Sequence, residues 1–218
     1  MTEERPFVHD PVLLDLVVEL FQPVPAGTIV DATLGGAGHA ATVLQSRPDL
    51  RVLGLDRDRN ALAAAQVRLA SFGPRAEAHH ARFDQLATVV AAAGTASQPI
   101  VGVLFDLGVS SPQFDDGERG FSYRYDAPLD MRMDQGSGPS AADLVNTADE
   151  HELAGILRRN ADERFAGRIA RAIIAARPIA TTGELADVVV SAIPAPARRK
   201  GGFPAKRTFQ ALRIHVNE

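Results

Sequence analysis

Four strand-like apolar runs, separated by three helical patterns, constrain this chain more than any other feature. The runs cover 28–31, 51–56, 75–79 and 100–106, and the helical stretches cover 38–46, 60–72 and 83–93, all rich in Ala, Leu and Val. Successive strands joined by helices of this length pair in parallel through right-handed crossovers. The expected fold is therefore α/β, a Rossmann-like, doubly wound parallel sheet. An apolar helix should precede it, opened by His9-Asp10-Pro11, running to Phe21 and stopped by Pro23-Val24-Pro25-Ala26-Gly27.

The pattern changes after Asp106. Residues 108–140 are rich in Gly, Pro, Ser and Asp, too long for an ordinary connection and so expected to be functional. Thr147-Ala-Asp-Glu150 and Thr181-Thr-Gly-Glu184 have the form of capping boxes and predict helix starts. A helix over 163–176 would put Phe165, Ile169, Ala172, Ile173 and Ala176 on one face. Residues 194–204 read as a basic Gly/Pro-rich loop and 207–217 as a last helix. The expected division is a cofactor-binding core of 1–110 plus 205–218, interrupted by a loop and helical insertion, 111–204.

Composition narrows the setting. Without cysteine there are no disulfides or thiolate metal sites, which fits a cytoplasmic protein. No apolar run approaches the roughly 18 residues that span a bilayer, and Met1-Thr2-Glu3-Glu4 does not resemble a secretory signal. Charge is unevenly spread: 151–218 carries twelve Lys/Arg against six Asp/Glu, and 1–150 eleven against twenty-one. A basic second part is compatible with phosphate contacts, and equally with solvated helices that bear arginine.

The first strand ends on Asp31 and runs into Ala32-Thr33-Leu34-Gly35-Gly36-Ala37-Gly38-His39. Such a turn lets backbone amides approach a ligand at the carboxyl edge of an open sheet. Asp31 could take the amino group of a bound amino-acid moiety, and Asp56, ending the second strand, could accept both hydroxyls of a ribose. Gly36-Ala37-Gly38-His39-Ala40-Ala41 also satisfies a dinucleotide fingerprint, so S-adenosylmethionine and NAD both remain open on the glycines. Asp31 before the turn and the bulky His39 favour the methyl donor. At the end of the fourth strand, Asp106 stands where a carboxylate could receive the proton lost by an amine during methylation; otherwise it merely caps the following turn.

With the segment at Asp106 in view, the sequence resembles a known family, the MraW family of 16S ribosomal RNA cytosine-N4 methyltransferases. The matching stretches are His9–Leu14, Asp31–His39, Asp56-Arg-Asp58, Asp106-Leu-Gly-Val-Ser-Ser-Pro-Gln113, Arg119-Gly-Phe-Ser-Tyr123, Asp126-Ala-Pro-Leu-Asp-Met-Arg-Met133, Glu163–Ala170 and Arg207–Ile214. They cover nearly the whole chain. The resemblance implies a class I S-adenosylmethionine-dependent core, with cofactor contacts at Gly36, Ala37, Gly38, His39 and Asp31, Asp56 on the ribose and Phe83 along the adenine. Asp106 and Gln113 would close the site, with Asp106 catalytic. Ala37 replaces a glycine common in that family, and Phe83 could instead be a core aromatic.

Arg119, Asp126, Asp130 and Arg132 would shape the target-base pocket, although ion pairs that only order the loop would use the same residues. Arg199, Lys200, Lys206 and Arg207, with Arg198 and Phe203, would face the 16S rRNA of an assembled small subunit. No metal and no membrane is implied. In the family the sequence continues past the position of Glu218 through further strands. Four strands are therefore expected here, with an apolar edge at the fourth that another chain could cover, as in a homodimer. Two further readings stay open: methylation of another nucleobase amine, and binding of cofactor or RNA without turnover.

Overall fold

The computed structural model describes residues 11–93, 98–110, 113–114, 117–198 and 202–217. The chain forms two compact units, Met1–Pro112 and Gln113–Glu218.

The first unit is a four-stranded sheet: β1 (Gly27–Asp31), β2 (Leu50–Asp56), β3 (Ala76–His80) and β4 (Ile100–Leu104), in the order β3-β2-β1-β4. Every pairing is parallel, as predicted. The helices are α1 (Leu14–Phe21), α2 (Gly38–Ser46), α3 (Arg59–Leu69) and α4 (Leu86–Ala92). Strand alternation decides which helix covers which face. Ile29 and Val52 pack with Val43, Leu44, Leu62 and Ala65 of α2 and α3, joined by Val17, Val18 and Phe21 of α1. Val30, Leu53 and Leu55 face the other way, onto Leu86, Val89 and Val90 of α4. Helices thus cover both faces of a doubly wound sheet.

Several boundaries differ from expectation by a few residues. The Asp58 side chain accepts the Asn60 amide at 3.0 Å and starts α3 one residue early. Gly73, at φ 54°, precedes Pro74, so the helical stretch ends in a 3-10 segment, Ala70–Arg75. β4 stops at Leu104, two residues before Asp106, and forms a sheet edge. Ile100, Val103, Phe105 and Leu107 there are all exposed, as the sequence implied for an uncovered fourth strand.

The second unit is helical: α5 (Ala141–Thr147), α6 (Glu150–Ala161), α7 (Ala166–Ala176), α8 (Thr182–Ala192), α9 (Ala195–Arg198) and α10 (Lys206–Val216). Its core gathers Leu129, Met131, Val145, Leu153, Ile156, Leu157, Ile169, Ile173, Leu185, Val189, Phe209 and Leu212. The capping box at Thr181 forms as predicted. The one read at Thr147 does not: Thr147 ends α5, which an unforeseen Ser140–Asp143 box begins, and Asp149 caps α6 by accepting the Glu152 amide at 2.8 Å. The 163–176 helix starts at Ala166, because Glu163 is buried and its carboxylate takes the Phe165 amide at 2.9 Å; Ala176 is exposed rather than facing the core. Part of the basic 194–204 loop is the short α9.

The division of the chain also needs correction. Residues 205–218 were expected to rejoin the first unit's core. Instead α10 buries Thr208, Phe209, Ala211 and Leu212 within the second unit, and Asn160 of α6 donates to the Ala211 carbonyl at 3.1 Å.

Candidate functional site

In the first unit, the register sets the end of β1 level with that of β4, two residues short of the end of β2. Asp31 of β1 stands opposite Gly54 of β2 on one side and Leu104 of β4 on the other. The chain leaving β1 is then tied to both neighbours: Ala32 donates to the Leu104 carbonyl at 2.9 Å, and Leu34 donates to that of Leu55 at 2.9 Å. A Cβ on Gly54 would sit 2.6 Å from the Leu34 side chain, so glycine at position 54 leaves that side chain its place. Side chains lock the same turn. The Gly35 amide donates to the Asp56 carboxylate at 2.7 Å, and the Asp106 amide donates to the Thr33 hydroxyl at 2.7 Å. The glycine turn and the carboxylate after strand four therefore share one edge of the sheet.

Three carboxylates converge on this edge. Asp31 is 2% exposed and accepts the Thr33 amide at 3.2 Å. Burial, and secondarily the negative charges of Asp56 and Asp106, push it up to about 7, against the lowering pull of that amide. Burial also pushes Asp56 up, opposed by the amides of Asp58 (2.8 Å) and Gly35. Asp106 is exposed.

The remaining predicted contacts divide. Gly35 at φ 52° and Ala37 at φ 60° make the turn; Ala37 is fully buried in the apolar cluster, and its amide donates to the Leu34 carbonyl at 2.8 Å. Left-handed backbone costs alanine roughly 1 kcal/mol, and burial of its methyl, worth about 0.8 kcal/mol, offsets most of that. Gly36 lies in the turn, half-buried. At Gly38 a Cβ would come within 2.3 Å of Pro11, so this glycine admits the segment before α1. His39 serves the same contact, donating from Nε2 to the Val12 carbonyl at 2.9 Å. Phe83 is 47% exposed and meets Phe105 edge-on at 6.1 Å, so it is not a core aromatic.

In the second unit Gln113 is buried. The loop residues are held internally. Arg132 grips Asp130 with a two-pronged contact at 2.9 and 2.8 Å and reaches the Gly138 carbonyl. Arg119, 6% exposed, donates to the Arg132 and Met133 carbonyls at 3.0 and 2.8 Å and stacks over Phe121. Asp126 accepts the Gly183 amide at 3.0 Å in the first turn of α8. These contacts match the loop-ordering reading rather than open, ligand-facing groups. Met131 is fully buried, as packing requires. Lys206 and Arg207 are both exposed, and Arg207 donates to the Asp162 carbonyl at the end of α6. Arg199 and Lys200 lie outside the described residues.

Several anchors leave no trace in any local pattern. Asn217 accepts the Met133 amide and donates to the Met131 carbonyl; Arg213 donates to the Phe121 carbonyl and lies over Phe114. Both join segments more than 80 positions apart, which no local pattern shows. Thr33 carried a readable signal, a hydroxyl two residues before Gly35.

Among the described residues no helix is long and apolar enough to cross a membrane. A family model described as the MraW methylase family matches residues 6–218. The ribosomal RNA small subunit methyltransferase H of Symbiobacterium thermophilum is 52% identical over 97% of this chain and 67% of its own length. Those of Frankia alni and Mycolicibacterium smegmatis are each 54% identical, over 96% and 100% of this chain and 66% and 61% of theirs. The chain thus spans about three-fifths to two-thirds of the length of these relatives. With a match running from residue 6 to residue 218, the chain belongs to the MraW methylase family.

Proposed function

We propose that this chain transfers a methyl group from S-adenosylmethionine to the N4 amino group of a cytosine in small-subunit 16S rRNA, acting in the cytoplasm on the assembled subunit. The observation that carries the reading is the convergence of Asp31, Asp56 and Asp106 on one sheet edge beside a glycine turn. S-adenosylmethionine supplies an electrophilic methyl on a sulfonium, together with an ammonium group, so its two positive charges suit an edge lined by carboxylates. Its relatives' name, ribosomal RNA small subunit methyltransferase H, supplies the substrate class.

The chain's own residues would act as follows. Asp31 faces the ammonium end, and Asp56, already fixed by two backbone amides, accepts from the ribose hydroxyls. The backbone of Gly36, Ala37, Gly38 and His39 walls the turn, and Phe83 flanks the adenine. The target cytosine must leave its stack to reach a sheet edge. Its amino lone pair is conjugated with the ring. The Asp106 carboxylate accepts a hydrogen bond from the amino group, favours its pyramidal form and receives the proton released once the nitrogen has bonded to carbon. Lys206 and Arg207, with Arg199 and Lys200, supply phosphate contacts; Arg119, Asp126, Asp130 and Arg132 hold the pocket loop in shape.

The test is methylation by this chain of small subunits from cells lacking the modification, beside naked DNA. Methylcytosine in rRNA alone is expected. Methyl groups on DNA only would remove the rRNA assignment, and NAD binding by calorimetry would revive the dinucleotide alternative.

A further inference from the structure

We propose that Arg158, Arg164, Arg168 and Arg171 form a second phosphate-binding surface, on the α6–α7 face of the helical unit, through which it grips the backbone of its RNA. This rests on the functional reading above and adds arginines that the basic 198–207 segment does not contain.

The packing of α7 fixes where its arginines point. Ile169, Ala170 and Ile173 are buried, which leaves Arg168 and Arg171, one turn apart, facing solvent. Arg164 extends the row from the turn before the helix, over the Phe165 ring at 4.9 Å. Arg158 of α6 joins from the side. Its Nη2 and the Nη1 of Arg171 lie 3.6 and 3.9 Å from the point where a Cβ on Gly167 would stand. Two guanidinium groups thus converge over a position that has no side chain. Like charges brought this close repel, and an anion between them relieves the repulsion.

The chain's own carboxylates do little of this. Among the described residues Arg158, Arg164 and Arg168 have no carboxylate partner, and Arg171 pairs only with Glu150 at 2.9 Å, both side chains well exposed. Such exposed pairs contribute little and yield to a competing anion. Glu163, the nearest acid in sequence to the row, is buried and turned inward to the Phe165 amide. Beside the row an open groove of about 460 Å³ is lined by Arg168, Arg171, Ala172 and Ala192, its alanines leaving room at the floor. Guanidinium forks match phosphate oxygens two at a time. An open arginine-rimmed groove suits a nucleic-acid backbone, whereas a base pocket would be enclosed.

The test uses the full chain, a fluorescein-labelled small-subunit rRNA fragment and two double variants, Arg158→Glu/Arg168→Glu and Arg158→Lys/Arg168→Lys. The glutamate pair should weaken RNA binding at least about tenfold at 0.1 M salt and reduce the slope of log affinity against log salt by roughly 1.5–2. The lysine pair should keep most of the slope, and S-adenosylmethionine affinity by calorimetry should not change in either. RNA binding and salt slope unchanged in the glutamate pair, with the wild type binding RNA, would overturn this surface alone. A wild type that binds no rRNA would overturn the functional reading and this surface with it.

Discussion

Carboxylates in the two units have opposite environments. In the first, among the described residues no cation enters the surroundings of Asp31: burial and the charges of Asp56 and Asp106 raise it, and the Thr33 amide pulls it down. In the second, burial would raise Asp130, but the Arg132 fork outweighs it and holds the acid below the ordinary range. Asp126, fully exposed, is lowered by the Thr181 hydroxyl and the Gly183 amide. Acids supplied with internal donors and cations order a loop. Acids gathered at one edge without a counter-charge among the described residues destabilise the free protein, and a cationic ligand would relieve them.

That contrast can be broken at its strongest point first. Asp106→Ala should cut methyl transfer by about 10²- to 10⁴-fold while leaving most of the S-adenosylmethionine affinity; a variant with near-normal turnover would take the catalytic role from Asp106. Arg132→Ala should do the reverse. Stranding Asp130 should cost about 1.5–3 kcal/mol of stability, read as a lower melting midpoint, with cofactor affinity unchanged. A loss of cofactor affinity without a stability loss would mean that the loop acid belongs to the site.

The smallest effect concerns pH. Asp31 holds its proton more tightly folded, to about 7, than its ordinary 3.8. Its protonated form therefore favours the folded state, so stability falls as pH rises between those values and levels off above about 7. Asp31→Asn removes that titration. Melting midpoints measured from roughly pH 5 to 8 should fall less steeply in the variant, with a residue of slope left by Asp56, which shifts in the same direction. Parallel curves would show that Asp31 is ionised throughout.

Much of the first unit was legible, because its signals are local. Strand runs, the glycine turn and acids ending strands follow from period and position. The one-residue shift at Asp58 and the early stop at Gly73 are the usual resolution of such signals, since a cap or a break acts within one turn. The second unit was less legible. Thr147 has the form of a capping box, yet Ser140 and Asp149 took the caps, each with a donor that its own helix supplied. Loop residues that matched a family motif gave no sign of whether they faced a ligand or one another.

The sequence by itself determined the family, the parallel α/β core and the identity of the acids and glycines, since each depends on residue type and spacing along the chain. Only the tertiary structure decided that α10 belongs with the helices of the second unit, and that Asn217 and Arg213 hold its loop from more than 80 positions away. It also decided that Asp31 lies buried beside two other acids. These depend on which surfaces exclude water together, a property of the packed chain and not of any window within it.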